Sequence, residues 1–418
     1  MASTGAPPAW AERAETRFRR PSEPEPGNAG AGRETLRDRS STFDVAVVGG
    51  GVIGLSVAWR AAQRGMRVIV LERAEPGGGA SWVAAGMIAP ISEARPKEQS
   101  LLRLSLESAR AYPEFVAELS AASGRDPGYL GCGTLAAARD RDEAEALERE
   151  LVMRVGLGLP VRRLRPSEAR RLEPGLAPAV RLALDVPDDH VIEPHALTGA
   201  LEEALLRAGG ELRAGCEVAE VCVSDGRVGG VRLASGEVVS ADQVVIAAGV
   251  WSSSIPGIPD DARVPLRPVK GQTLRMHDPS GPGLLTRVLR MSPGYVVPRG
   301  DGRYVLGATM EERGFDTTIT AGAIFEQLRD AIELVPGIGE WVIDGLVAGL
   351  RPGTPDNAPV LGPGALEGLQ WATGHYRHGI LLAPVTADAL AATLAGEALP
   401  EIAAPFAAQR FADVAVGA

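Results

Sequence analysis

FDVAVVGGGVIGLSVAWRAAQRGMRVIVLE, residues Phe43 to Glu72, decides the fold. Phe43 to Val48 is a short apolar, β-branched run of the kind buried on both faces of a parallel sheet. It leads directly into Gly49-Gly50-Gly51-Val52-Ile53-Gly54. Gly49 allows a tight turn, Gly51 lets the backbone approach a pyrophosphate, and Gly54 lets a helix pack closely on the strand. The pyrophosphate would rest on the helix N-terminus, where free N–H groups and the helix dipole favour negative charge. Val68 to Leu71 reads as a second strand. Glu72 follows it roughly 20 residues past the glycines, the place for an acid that accepts hydrogen bonds from the adenosine ribose hydroxyls. An acid at that point disfavours a 2′-phosphate, so NADP is not expected.

The whole chain, 418 residues with 45% hydrophobic and 23% charged, predicts a soluble globular protein of two domains. A net charge of −10 argues against nucleic acid or an anionic membrane as partner. No run approaches the roughly 20 apolar residues needed to cross a bilayer. Cys132, Cys216 and Cys222 are too few and scattered for a disulfide framework, which points to a reducing cytoplasm. The 5 histidines show no ligand spacing, so no metal is expected. Residues 1–41, rich in Pro, Ala, Gly, Arg and Glu, read as a disordered tail. Its acids, Glu12, Glu15, Glu23 and Glu25, argue against a transit peptide, and it lacks the apolar stretch of a secretory signal.

After Glu72, the stretch Gly77 to Met87 is a loop of small residues with one hydroxyl, Ser81, suited to lie against a flat ring system. Helical spacing covers Ser100 to Leu119, Asp142 to Val152, and Pro194 to Gly209. Strand patterns follow at Glu217–Val223, Val228–Leu233 and Glu237–Val239, then a buried strand at Gln243–Ala247 that closes on Ala248-Gly249. A meander followed by a strand ending in Ala-Ala-Gly is a common continuation of FAD-binding domains, whereas a simple NAD dehydrogenase alternates helix and strand. The cofactor reading therefore moves from NAD to FAD. Thr273–Met276, Tyr295–Pro298 and Tyr304–Ala308 read as strands and Ala321–Leu334 as a helix, with a last helix starting near Thr386.

These segments together resemble the D-amino-acid oxidase and sarcosine oxidase superfamily of FAD amine oxidases. Within it the chain is similar to the glycine oxidases of thiamine biosynthesis, because GASWVAAGM, GYVVPR, GATMEE, GLRPGTPDNAPVLG and GHYRHGILLAP occur in that order between Phe43 and Glu397. The resemblance implies an α/β fold: a glutathione-reductase-like, Rossmann-type FAD domain (42–95, 190–260 and 346–418) interleaved with a substrate domain (96–189 and 261–345) on a mixed, largely antiparallel sheet. It implies oxidation of glycine to an imine by hydride transfer from the α-carbon to flavin N5. Glyoxylate, ammonia and hydrogen peroxide follow, with thiazole synthase as a partner for the imine and a homotetramer as the assembly. Sarcosine and small D-amino acids stay open as substrates. A D-amino-acid dehydrogenase using a non-oxygen electron acceptor, or a non-catalytic flavin-binding partner of thiazole synthase, stays open as function. At 418 residues no room is left for a fused thiazole synthase domain.

Residue by residue, the resemblance places Arg351 on the substrate carboxylate, where a planar, permanently charged fork forms two parallel hydrogen bonds. Tyr295 would offer its hydroxyl to the same group, Met310 would wall the pocket near the α-carbon, and Arg377 would stand near the entrance and the flavin edge. The non-covalent FAD is assigned to Gly49, Gly51, Val52, Ile53, Gly54, Glu72, Arg73, Ala80, Ser81, Gly86, Met87, Val218, Ala248, Gly249, Trp251, Arg351, His375, Tyr376, Arg377, Gly379, Ile380 and Leu381. The backbone from Gly374 to Leu381, at a helix N-terminus, would stabilise negative charge on the reduced ring. His375 and His378 read as backbone-bonding residues rather than bases. Lys270 reads as scaffold, with positive charge for oxygen activation as the alternative.

Overall fold

The computed structural model describes residues 42–412; the tail expected at 1–41 lies outside the described residues. Phe43–Val48 pairs in parallel with Val68–Leu71 on one side and Val238–Ile246 on the other. Val45 and Val47 join a core with the helices Val52–Gln63, Gln99–Ser123, Pro194–Arg207 and Ala383–Leu394. Ala46 and Val48 join a second core with Val221, Val231 and Val239 on the opposite face. Side chains alternate between two buried faces, which is why the sequence shows an unbroken apolar run. Each Val or Leu so buried is worth about 1.5–3 kcal/mol, so this centre is the hardest part of the fold to open.

The first sheet runs Val218–Ser224, Arg227–Leu233, Val238–Ile246, Phe43–Val48, Val68–Leu71, Glu211–Arg213, with Leu369–Thr373 added in parallel to Val238–Ile246 and Val360–Pro363 antiparallel to that. Val238–Ile246 is one element where the sequence predicts two. Its first part, Val238 to Ser240, pairs antiparallel with Gly230 to Arg232, and its second, from Ala241 to Ile246, pairs in parallel with Phe43–Val48. Ser240 and Asp242 look like turn residues, yet Ala241 between them is buried and opposite Phe43. Gly230 permits the close approach: its φ is +126°, and a Cβ there would stand 2.1 Å from the Val239 carbonyl oxygen.

The second sheet runs Val342–Gly353, Arg267–His277, Arg303–Gly307, Tyr295–Pro298, Val288–Arg290, Thr134–Ala138, Leu182–Val186, Arg162–Leu164. Only Val288–Arg290 and Thr134–Ala138 are parallel neighbours, so the sheet is mixed and largely antiparallel. The helix Ala321–Leu334 covers it through Ala331 and Leu334. Val342–Gly353 is a single strand that runs through residue 346, the position where the sequence suggests a change of domain. The last helix begins at Ala383, ahead of the expected Thr386, with Pro384 in its first turn where a missing N–H costs nothing.

A stack of three side chains ties the small-residue loop of the first layer to the second sheet. Trp82 lies on His195 with ring centroids 3.8 Å apart. Arg275, from the Arg267–His277 strand, stands 4.7 Å from the Trp82 ring, donates to the Trp82 carbonyl at 2.5 Å, and reaches 2.9 Å from His195 Nε2. Burial first, then the Arg275 charge, push His195 down from 6.5 to about 4. A depressed histidine favours the fold while neutral: that stability is complete above 6.5 and is lost as pH falls through about 4.

Two outcomes follow. The urea midpoint falls between pH 7 and pH 5, and His195→Gln makes that fall smaller; an equal fall in the variant would take His195 out of the linkage. Gly54→Ala places a Cβ 2.0 Å from the Gly49 carbonyl oxygen. Its expected cost is about 3 kcal/mol, the upper end for overpacking, read as a lowered urea midpoint; a wild-type midpoint would mean the helix shifts without penalty.

Candidate functional site

A cavity of about 850 Å³ opens between the glycine turn and the second sheet, at the upper end of the range of about 300–1,000 Å³ for small-molecule sites. Every residue assigned from sequence lines it except Gly54, which lies under the turn against Gly49 and Ala247. Gly49 has φ +108°, and a Cβ there would meet the Ala247 carbonyl oxygen at 2.5 Å, so the turn and the end of Val238–Ile246 touch backbone to backbone. Gly51 precedes the first turn of the Val52–Gln63 helix, and a Cβ on it would meet only Ser81 Oγ, at 3.3 Å. Ser81 Oγ accepts from the Val52 N–H at 3.0 Å, fixing the small-residue loop to the helix start.

Glu72 holds the turn from the side. Its Oε2 accepts from the Gly50 N–H at 2.7 Å and its Oε1 from the Ala74 N–H at 2.9 Å. The Arg73 guanidinium covers the Trp251 ring at 3.7 Å, and Val218, Ala248 and Gly249 complete this end of the cavity. The turn, the helix start, the acid and a long slot walled by Ala80, Ser81, Gly86 and Met87 fit FAD.

At the other end stand Arg351 and Tyr295. Arg351 Nη1 donates to the carbonyls of Thr309 at 3.1 Å and Lys270 at 3.3 Å. A Cβ on Gly271 would lie 2.4 Å from Arg351 Nη2, so the guanidinium lies flat over the neighbouring strand only because that residue is glycine. Burial raises the Tyr295 phenol, against a smaller lowering by Arg351, so the hydroxyl keeps its proton and donates. Met310 is 59% exposed and accepts a hydrogen bond at Sδ from the Tyr376 hydroxyl, 3.1 Å away. It sits at the rim of the cavity, whereas the resemblance implies a wall near the reacting carbon.

The Arg377 side chain, 9% exposed, bridges two acids, Nε to Glu93 at 2.9 Å and Nη2 to Glu98 at 2.6 Å. Glu93 lines the cavity, as does Arg290, 3.7 Å from it. Burial alone would raise the Glu93 carboxyl; the surrounding positive charge, Arg290 first, outweighs it and holds the group at about 2. Sequence reasoning misses Glu93, Arg290 and Gly271. An acid closing the otherwise uncharged run from Gly77 to Ser92 was the available signal for Glu93. Nothing local distinguishes Arg290 among 43 basic residues.

Of the Gly374 to Leu381 segment, His375 to Leu381 line the cavity, mostly in turns, and the helix proper starts after it, with Leu382 as N-cap. This corrects its placement at the helix N-terminus itself. Its carbonyls are spoken for: Tyr112 donates to Ile380 at 2.7 Å and Ser108 to Leu381 at 2.6 Å, both from the Gln99–Ser123 helix. Tyr376 takes φ +50°, an uncommon conformation for a bulky residue, held by its N–H on the Pro352 carbonyl at 3.0 Å. Burial pushes both His375 and His378 down to about 3, so both are neutral at physiological pH. His375 Nε2 pairs with the Thr386 hydroxyl at 3.0 Å rather than with backbone.

Lys270 has no exposed surface, and its Nζ bonds Asp316 at 3.0 Å with Glu311 at 3.9 Å. Gly271 and Thr273 line the cavity while Lys270 alternates to the other face of the strand. No group of His, Cys, Asp and Glu that could hold a metal is found among the described residues, and no helix among them is long and apolar enough to cross a membrane.

Residues 44–393 match the family model for DAO, the FAD-dependent oxidoreductases. The glycine oxidase of Geobacillus kaustophilus is 37% identical over 348 residues, 82% of this chain and 90% of that protein. The bifunctional protein ThiO/ThiG of Trichormus variabilis is 36% identical over 84% of this chain, which spans only 52% of that longer protein. The crystal structure of glycine oxidase from Geobacillus kaustophilus superposes with a TM-score of 0.83 at 33% identity, covering 88% of this chain and 99% of that one. A dinucleotide cradle, a meander and an arginine-lined end, in one cavity and in this order along the chain, thus have their counterpart in a family: the chain belongs to the DAO family of FAD-dependent oxidoreductases.

Proposed function

We propose that this protein is a glycine oxidase: it oxidises the α-carbon–nitrogen bond of glycine, with sarcosine and small D-amino acids as competing substrates, and passes the electrons to dioxygen. The observation that carries this reading is the pairing of Arg351, flat over Gly271, with the half-buried Tyr295, in the same cavity as the dinucleotide cradle. The likeness to the Geobacillus kaustophilus glycine oxidase supports it over most of both chains.

Arg351 binds the substrate carboxylate through two parallel hydrogen bonds, and Tyr295 donates a third. Glu93 offers the opposite charge to the amino group, so the cavity complements a zwitterion. Held at about 2, that carboxylate is too weak a base to take the ammonium proton at neutral pH, so its part is attraction and orientation. Bound FAD supplies the acceptor for the α-carbon hydride. The ammonium first gives a proton to solvent; loss of hydride from the α-carbon of the resulting amine then leaves the protonated imine, which water converts to glyoxylate and ammonium. The bifunctional relatives support a partner that consumes the imine, and we assign thiazole synthase to that place, in the cytoplasm.

Peroxide release with glycine, sarcosine and D-alanine tests the reading; flavin that stays oxidised under anaerobic glycine overturns it, and turnover with an artificial acceptor but not with oxygen makes the enzyme a dehydrogenase. Arg351→Ala is expected to retain FAD while kcat/KM for glycine falls by at least about 100-fold, the scale of lost charge-assisted bonds. Unchanged glycine kinetics would remove Arg351 from the substrate. Lys270→Met is expected to lower thermal stability yet leave the rate of flavin reoxidation by oxygen within about twofold, because the ammonium faces away from the cavity. A tenfold slower reoxidation would instead make Lys270 part of the oxygen reaction.

A further inference from the structure

The two residues before Glu93 are held in an unusual way. Ile91 and Ser92 lie in a buried turn whose polar backbone groups are taken by side chains from distant parts of the chain. Asp189, between Leu182–Val186 and His190–Ile192, accepts from the Ile91 N–H at 3.1 Å and the Ser92 N–H at 2.9 Å. Arg154, near the end of the Arg141–Gly156 helix, donates from Nε to the Ile91 carbonyl at 2.9 Å and from Nη2 to the Ser92 carbonyl at 2.7 Å. Arg290 donates to the Ser92 carbonyl as well. Asp189 and Arg154 are 0% and 2% exposed, and neither lines the cavity.

A carboxylate set on the N–H groups and a guanidinium set on the carbonyls of one short turn fix that turn against rotation about the chain. Burying two charges costs free energy that a loop needing only to cross the surface would not require. The next residue is Glu93, whose carboxylate meets Arg377 at 2.9 Å and Arg290 at 3.7 Å inside the cavity. We infer that Asp189 and Arg154 are positioning residues: by clamping Ile91 and Ser92 they set where the Glu93 carboxylate stands relative to Tyr295 and Arg351, and so how the substrate amino group is oriented. This rests on the amine-oxidising reading of the cavity. A displacement of about 1 Å in an oriented reacting pair is enough for rate losses on the order of 100-fold, so the clamp acts on turnover without touching substrate.

The experiment is a double-mutant cycle on the FAD-loaded enzyme, with Asp189→Asn, Arg154→Lys and Glu93→Gln, read as kcat and KM for glycine, FAD content and melting temperature. Wild-type turnover decides the amine-oxidising reading first and separately; with no wild-type turnover that reading and this inference both fall. With turnover present, Asp189→Asn is expected to lower kcat/KM at least tenfold with FAD still bound, and to add less than twofold once Glu93 is glutamine. Arg154→Lys, which keeps the charge but replaces the planar fork by a single ammonium nitrogen, is expected to give a smaller loss with the same coupling to Glu93. It carries the test alone if the amide of Asp189→Asn, set against a backbone N–H, prevents folding. Losses that multiply unchanged in the Glu93→Gln background, or full activity in Arg154→Lys and Asp189→Asn, overturn the inference.

Discussion

The site depends on a guanidinium that must face a cavity and still be held in one place. Arg351 is opposite Val269 in the pairing of Val342–Gly353 with Arg267–His277, so its side chain leans diagonally over Gly271 on the shared face. Gly271 has no Cβ to lift it, and two carbonyls, those of Lys270 and Thr309, receive one of its nitrogens. The remaining donors of the planar fork are left for a ligand. Because this register sets the arginine, every strand that fixes the register contributes to where the guanidinium stands in the cavity.

The same pairing joins the site to the rest of the molecule. Arg267–His277 carries Arg275 to the Trp82–His195 stack, which abuts Ser81, which in turn holds the first turn of the Val52–Gln63 helix. One strand therefore touches the Arg351 end of the cavity through Gly271 and the loop beside the glycine turn through Arg275. The buried charges follow a consistent rule: Lys270, Arg377, Arg154 and Asp189 each meet opposite charge or backbone dipoles in the interior, as desolvated ions must.

Much of the architecture was legible without coordinates because it rests on short-range physics. Phe43 to Glu72 spells its strand, turn, helix and strand in consecutive residues, and Tyr295–Pro298 and Ala321–Leu334 appear with the bounds their patterns predict. The misreadings arise where distant pairing overrides a local signal. Ser240 and Asp242 suggest a break, but parallel pairing with Phe43–Val48 carries the strand straight through. The Gly374 to Leu381 segment looks like a helix start, but hydrogen bonds from Ser108 and Tyr112 hold its last carbonyls in turns before the helix begins.

The sequence by itself determined that the chain binds a dinucleotide and that FAD is the dinucleotide, and it picked out Arg351 and Tyr295, which line the same cavity, because glycine spacing and motif order are properties of neighbours along the chain. Only the tertiary structure decided that Glu93 brings a carboxylate to the cavity beside Arg290 and Arg377, that Lys270 turns away from it, and that Met310 sits at its rim. Those outcomes depend on which face of a strand is covered and on which charges meet in the interior. Burial and Coulomb energy are set by distance in space, and Asp189 stands 98 residues from the Ile91 it holds.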